Sequence, residues 1–181
     1  MQLILKSLLL CGLVAGLWGC SSATPATRYY LLSDPAQEIA LDSGCSVRLG
    51  SASVAHYLQR THIMLASGAN ELVPALQHRW SEPLEAGVTR LLSRCLGGNR
   101  DADYRVNVLL DHLHGNVDGT VVLQARWSST GSSQVDAVQP LEDQFSARRP
   151  QSSAGYDALV STQRALVLEL CENIKASISS C

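Results

Sequence analysis

The sequence predicts an α+β fold: a mixed, mainly antiparallel β-sheet with two long helices packed on one face. Two observations support this prediction. Runs of β-prone residues fill two parts of the chain, and each part is followed by a segment whose apolar residues recur at helical spacing. The resulting order, strands then helix and again strands then helix, repeats one unit and differs from the strand-helix alternation of parallel sheets.

Strands are predicted in three places before the first helix. Residues 29–32 are Tyr-Tyr-Leu-Leu and end at a Ser-Asp-Pro turn, so they predict the first strand. Residues 45–49 predict the second strand. Residues 62–66 and 71–76 flank Ser-Gly-Ala-Asn and predict a hairpin. Pro74 cannot donate a backbone hydrogen bond, so it places the second arm of this hairpin at a sheet edge.

The first helix is predicted to begin after Ser81. Pro83 suits the start of a helix, and Gly97 opens a Gly-Gly-Asn stop signal. Between these limits, apolar residues recur at helical spacing: Leu84, Val88, Leu91, Leu92 and Cys95.

The second half of the chain repeats this pattern. Residues 104–113 and 117–127 are long β-prone runs joined by His-Gly-Asn, and they predict a hairpin with alternating apolar and polar positions. A more polar third strand is predicted at 134–145. The second helix follows Ser-Ser-Ala-Gly and carries one apolar face from Tyr156 to Ile178.

The N-terminus has the organisation of a secretory signal peptide. Lys6 precedes an apolar stretch at 8–17, which is shorter than the roughly 20 residues that a membrane-spanning helix needs. The residues Leu-Trp-Gly before Cys20 resemble the lipobox of bacterial lipoproteins, and this resemblance implies that Cys20 is acylated and becomes the new N-terminus. Several acyl chains make such an anchor stable. The alternative is an ordinary secreted protein that is cut near Gly19 and has an incidental thiol at Cys20.

The expected organisation is a signal peptide at 1–19, an acylated cysteine with a flexible tether at 20–27 and a single periplasmic domain at 28–181. By resemblance to lipoprotein sorting rules, a serine at position 21 favours export to the outer membrane. The formal net charge is −2 and there is no large cluster of Lys or Arg, so nucleic acid is not an expected partner.

The chain has six cysteines, of which Cys11 lies in the signal peptide and Cys20 is the predicted lipid attachment site. Four disulfide candidates remain: Cys45, Cys95, Cys171 and Cys181. An even number suits an oxidising periplasm and allows three pairings, among which the sequence does not choose. Their spacing matches no zinc motif. The alternative for Cys95 and Cys171 is that they are free thiols buried on helix faces.

No motif of a known catalytic or cofactor-binding site occurs in the sequence, so neither an enzyme nor a cofactor is expected. His112 and His114 lie two residues apart near Asp111, on one face of a predicted strand, where such a pair could bind a metal ion. No further His or Cys is close to this pair in the sequence. We therefore expect no metal site there.

Three segments have a distinctive order and spacing. They are Tyr-Tyr-Leu-Leu at 29–32, Tyr-Leu-Gln-Arg at 57–60 followed by His-Arg-Trp-Ser-Glu-Pro-Leu at 78–84, and Gly-Tyr-Asp-Ala-Leu-Val at 155–160. Together they resemble the paraquat-inducible protein C family, also called the ABC-type transport auxiliary lipoproteins. The strand at 117–127 is also similar to the central hairpin of that family. The chain departs from the family at 53–56, where prolines are common.

The resemblance implies a non-enzymatic accessory role in lipid transport between the inner and outer membranes. The implied partners are an MCE-domain protein, whose assemblies form a conduit across the periplasm, and an associated inner-membrane permease or ABC transporter. The lipoprotein would hold this conduit at the outer membrane, with a homo-oligomeric ring of copies as one arrangement.

The expected partner-facing residues are Tyr57, Leu58, Arg60, Trp80, Pro83 and Leu84. Aromatic and apolar residues in a loop that leads to a helix suit an interface. Trp80 suits equally well the space between the sheet and the first helix. Two other functions stay open: a structural or assembly lipoprotein of another cell-envelope complex, and a periplasmic hydrolase or metal-binding protein.

Overall fold

The computed structural model describes residues 25–32, 47–97, 102–131 and 140–178. These residues form seven strands and two helices: β1 (Arg28–Tyr30), β2 (Val47–Val54), β3 (His62–Ala66), β4 (Leu72–Trp80), α1 (Leu84–Leu96), β5 (Tyr104–Asn116), β6 (Thr120–Gly131), β7 (Leu141–Pro150) and α2 (Tyr156–Ile178). A short 3-10 turn, His56–Leu58, lies between β2 and β3. The seven strands belong to one mixed sheet, and its long pairings are mainly antiparallel. The predicted α+β fold is confirmed.

β5 is the central strand of this sheet. It pairs antiparallel with β6 along most of its length, and β6 pairs antiparallel with β7. On its other side, β5 pairs parallel with β2 near its start and with β3 at its end. β3 pairs antiparallel with β4, and β1 lies parallel to β4. Within the described residues, β1 and β7 end the main strand order, and β2, which pairs only with β5, is a further edge strand.

One face of the sheet forms the core with both helices. Side chains alternate between the two faces of a strand. The buried side chains of the two central strands include Val106, Val108, Leu110, Val121, Leu123 and Ala125. α1 packs against β2 and α2, and α2 packs against β5, β6 and β7, so both helices cover the same face. Burial of each large apolar side chain stabilises the fold by about 1.5–3 kcal/mol, so this face holds the domain together.

The first turn of α2 rests closely on β5 at Gly115. A Cβ atom at this position would lie 2.6 Å from Cδ1 of Leu159 and 3.1 Å from Cδ2 of Leu65. Normal contacts between carbon atoms are about 3.5–4.0 Å. The absence of a side chain at Gly115 is what allows the helix to approach the sheet at this point.

The turn of the main hairpin lies later than the sequence predicts. The His-Gly-Asn segment continues β5 through Asn116, and the turn is at 117–119. Gly119 has a φ of 82°, which glycine adopts without steric cost. Asp118 stabilises the turn, because its Oδ1 accepts hydrogen bonds from the backbone N–H and the hydroxyl of Thr120.

Several strands also differ in extent from their predictions. The strand predicted at 71–76 is observed as β4 and continues to Trp80, and the strand predicted at 117–127 is observed as β6 and continues to Gly131. Residues 47–49 of the strand predicted at 45–49 are observed in β2, which continues to Val54 because residues 51–54 also pair with β5. Residues 45 and 46 lie outside the described residues. The predicted strand at 134–145 is observed as β7, which begins at Leu141 and follows β6 to Pro150. Residues 132–139 lie outside the described residues. Both helices lie where the sequence predicts them, and α1 ends at Gly97, which has a φ of 86°.

Candidate functional site

The face of the sheet opposite the helices is largely polar, and we call it the open face. Four neighbouring strands place their residues side by side in two rows on this face, because residues in register point to the same side. The first row is Ser51, Asn107, Ser128 and Glu142. The second row is Ser53, Leu109, Arg126 and Gln144. The two rows line a groove of about 640 Å³.

The groove presents hydrogen-bonding groups in fixed positions. Ser51 Oγ lies 2.9 Å from Asn107 Oδ1 and donates a hydrogen bond to it. Arg126 donates two hydrogen bonds of 2.9 Å to the two carboxylate oxygens of Asp111, and this contact lowers the pKa of Asp111. The ion pair is exposed and contributes little to stability, but its bidentate geometry orients the guanidinium group. The groove can thus form hydrogen bonds with a polar partner surface.

The lining of the groove does not provide the parts of a hydrolytic site. Its hydroxyl groups come from Ser51, Ser53 and Ser128, and the lining residues include no histidine or cysteine. A serine nucleophile needs an adjacent general base that is itself held in position.

A second cluster on the domain joins a tyrosine to two histidines. The hydroxyl of Tyr57 lies 3.0 Å from Nδ1 of His112 and 3.4 Å from Nδ1 of His114. The two imidazole rings have their centroids 5.6 Å apart. Burial raises the pKa of Tyr57 to about 12. Burial also lowers the pKa of His114, and the neighbouring His112 and Arg148 act in the same direction.

The sequence correctly predicts that His112 and His114 lie close together on one strand. It gives no sign of their shared contact with Tyr57, which is 55 residues away from His112. In the described parts of the chain, no third metal-ligating side chain joins the two histidines. The cluster is therefore a hydrogen-bonded group built around a phenol.

The predicted partner-facing patch does not form one surface. Three of its members are buried in the core: Leu58, Trp80 and Leu84. These side chains belong to the hydrophobic core, so they are not partner-facing. Tyr57 is half-buried beside the two histidines, while Arg60 and Pro83 are exposed.

A disulfide links the two helices. Cys95 in α1 and Cys171 in α2 have their sulfur atoms 2.09 Å and their Cα atoms 6.4 Å apart. They are therefore not free thiols in this structure. Glu172 brings a carboxylate near the two sulfur atoms, but bonded sulfur atoms are not thiolate ligands for a metal. The other candidates, Cys45 and Cys181, lie outside the described residues, as does Cys20.

In the described part of the chain, no helix is both long enough and apolar enough to cross a membrane.

Comparison with protein families supplies the decisive observation. The family described as the ABC-type transport auxiliary lipoprotein component matches residues 30–175, which is most of the chain. The chain belongs to this family. The resemblance in the three sequence segments is thereby confirmed. No curated protein matches the sequence of this auxiliary lipoprotein.

Solved structures share the fold of this auxiliary lipoprotein. One, described as an uncharacterized protein, has a TM-score of 0.68 and 21% sequence identity, and the match covers 85% of this chain and 99% of that chain. Another, from Xanthomonas campestris and assigned to the DUF330 family, has a TM-score of 0.56 and 15% identity. That match covers 82% of this chain and 90% of the other. At these identities the likeness supports the fold alone.

Three of the segments that resemble the auxiliary lipoprotein family meet in one aromatic cluster. The hydroxyl of Tyr30 lies 2.8 Å from Nδ1 of His78. The His78 ring stacks on Tyr156, with centroids 3.6 Å apart. Burial lowers the pKa of His78 and raises that of Tyr156. The cluster joins β1, β4 and α2, so it fixes the N-terminal strand of this auxiliary lipoprotein to the rest of the domain.

Proposed function

We propose that this auxiliary lipoprotein is a non-enzymatic component of an intermembrane lipid transport system and docks an MCE-domain protein at the outer membrane. The observation that carries the proposal is the family match over residues 30–175. An auxiliary component acts through contacts with other proteins, and the groove offers hydrogen-bonding groups without a catalytic arrangement. An inner-membrane permease or ABC transporter completes the proposed system.

The proposed means of attachment is acylation of Cys20 after removal of residues 1–19. Residues 20–27 then form the tether, and residues 28–181 form a single periplasmic domain. The lipobox residues before Cys20 and the serine at position 21 support an outer-membrane location. Several copies in a ring around the conduit would let each domain contact one subunit of the partner.

The open face is the proposed docking surface. The helices cover one side of the sheet, whereas the two polar rows and the groove lie on the other side. The sheet backbone fixes the spacing of these side chains, so a partner can bind them without much loss of conformational freedom. Glu142 and Asp143 give one end of the groove an acidic character, so the partner segment is expected to present polar or basic groups there.

Affinity capture tests the proposal. The full-length chain carries a C-terminal tag in its native host, and membranes are solubilised in mild detergent. We expect an MCE-domain protein among the proteins recovered, in amounts that grow with the amount of captured chain. Recovery of another envelope complex without any MCE-domain protein would contradict the proposal and support a structural or assembly role.

A further inference from the structure

The N-terminal strand exposes two apolar side chains next to the predicted anchor. Tyr29 is 63% exposed and Leu31 is 50% exposed, whereas Leu32 is buried. Tyr30 points the other way, toward His78 and Tyr156. Because side chains alternate along an extended chain, Tyr29 and Leu31 point to the same side. Two neighbouring apolar groups are thus presented together to the surroundings.

The tether is too short to hold this strand far from the lipid. Thr27 is fixed to the domain, because its hydroxyl donates a hydrogen bond of 3.3 Å to Oε1 of Gln77. Seven residues lead from Cys20 to Thr27, and an extended chain spans at most about 3.5 Å per residue. The N-terminal strand therefore lies within about 25 Å of the acylated cysteine.

The charged residues within β1 and β4 are all basic. Arg28 lies in β1, and Tyr29 is in register with Arg79 in β4. Neither of these two strands contains an Asp or Glu, although the chain as a whole has a formal net charge of −2. An exposed aromatic ring beside arginine side chains suits the boundary between lipid phosphates and acyl chains.

We infer that the edge formed by β1 and β4 lies against the bilayer that holds the anchor, with Tyr29 and Leu31 at the level of the headgroups and Arg28 and Arg79 near lipid phosphates. The inference rests on the proposed acylation of Cys20. The acyl chains supply the affinity, and this edge sets the orientation of the domain. The groove is lined by β2, β5, β6 and β7, none of which pairs with β1 or β4, and so it remains accessible to a partner.

Photo-crosslinking of the lipidated full-length chain tests the inference. A benzophenone amino acid, p-benzoylphenylalanine, is placed at position 29 or, as a matched control, at position 141. Leu141 is also an exposed apolar residue, but it lies in β7 at the opposite edge of the sheet. The proteins are inserted into vesicles of phosphatidylethanolamine and phosphatidylglycerol, irradiated and analysed by intact mass. We expect phospholipid adducts at position 29 in several-fold excess over position 141.

The other outcomes distinguish a wrong orientation of the domain from a failure of the anchor. Equal adduct yields at the two positions, or none at position 29, would overturn the inference. If the protein still floats with the vesicles in a density gradient, the anchor is supported even so. Covalent dimers from position 29 would also overturn it, because a second copy would then occupy this edge. If the parent chain fails to float with the vesicles and behaves like a Cys20→Ser variant, the proposed anchor itself fails, and the inference fails with it.

Discussion

The hydroxyl of Tyr57 lies between two imidazole rings, and this contact makes the cluster sensitive to protonation. A neutral histidine has one ring nitrogen that donates and one that accepts, so the phenol can donate to one ring and accept from the other. Its distances to the Nδ1 atoms of His112 and His114 are 3.0 and 3.4 Å. Two protonated rings would place like charges at a centroid distance of 5.6 Å in a half-buried site.

The pH dependence of stability tests this account of His114. Burial holds the pKa of His114 below its ordinary value of 6.5. At pH values between the lowered pKa of the folded state and the ordinary pKa of the unfolded state, the unfolded chain binds more protons than the folded chain. The stabilisation by neutral His114 is therefore complete above about pH 6.5 and is lost as the pH falls through the folded-state pKa. We expect His114→Asn to lose less free energy of unfolding than the parent when the pH is lowered from about 7.5 to about 5. Urea denaturation measures this, and an unchanged loss would contradict the account.

At the scale of secondary-structure elements, the Cys95–Cys171 disulfide ties the end of α1 to α2 across 76 residues of sequence. Closing a loop of this length in the unfolded chain stabilises the fold by about 4.5 kcal/mol in the chain-entropy model. We expect the double variant Cys95→Ala and Cys171→Ala to lose free energy of unfolding by that amount. Chemical denaturation of the oxidised parent and the variant checks this. A loss below about 1 kcal/mol would show that the link constrains little.

Gly115 offers a second test of how an element is positioned. Gly115→Ala places a methyl group against Leu159 and Leu65, and the resulting displacement of α2 should cost about 1–3 kcal/mol. Gly68→Ala is the matched control, since its nearest neighbour would be Glu71 Cβ at 3.9 Å. The control should stay within about 0.5 kcal/mol of the parent. Equal thermal stability of the two variants would contradict the close packing described here.

The elements were predictable where local patterns determine them. The helical spacing of apolar residues from Leu84 and the Gly97 stop signal locate α1 correctly. The main hairpin was predicted from alternation, but its turn was not, because Gly115 serves close packing against α2 and the turn forms at Gly119. The extent of β2 depends on pairing with β5, which is distant in sequence and leaves no local pattern.

In the candidate site, too, local sequence patterns predict some features, and the tertiary fold determines the others. Alternation along a strand predicts that His112 and His114 lie together, yet their contact with Tyr57 is created by the tertiary fold. The apolar loop residues predicted to face a partner include Trp80, which is buried. Composition alone does not separate an interface anchor from a core residue, because both remove the same apolar surface from water. The open face was not predicted, since its rows depend on the register of four strands.

The whole molecule can act at a membrane as proposed only if the domain is attached through Cys20. Each acyl methylene contributes about 0.8 kcal/mol to membrane binding, so loss of the acyl chains removes the main source of affinity. We expect Cys20→Ser to lose lipidation and to leave the membrane fraction in fractionated cells. Mass spectrometry of the N-terminal peptide and immunoblots of the fractions measure both effects. Persistent membrane attachment of the variant would contradict the anchor.

The proposed docking of an MCE-domain protein on the open face can be tested by capture with two matched variants. Ser53→Arg places a long charged side chain in the groove, and Ser161→Arg makes the same change at an exposed position of α2 on the opposite side of the sheet. Both variants are first matched to the parent for thermal unfolding and membrane attachment. The account predicts that Ser53→Arg loses most of the MCE-domain protein recovered by the parent, while Ser161→Arg retains it. Equal recovery by both variants, or loss with Ser161→Arg alone, would contradict the claim.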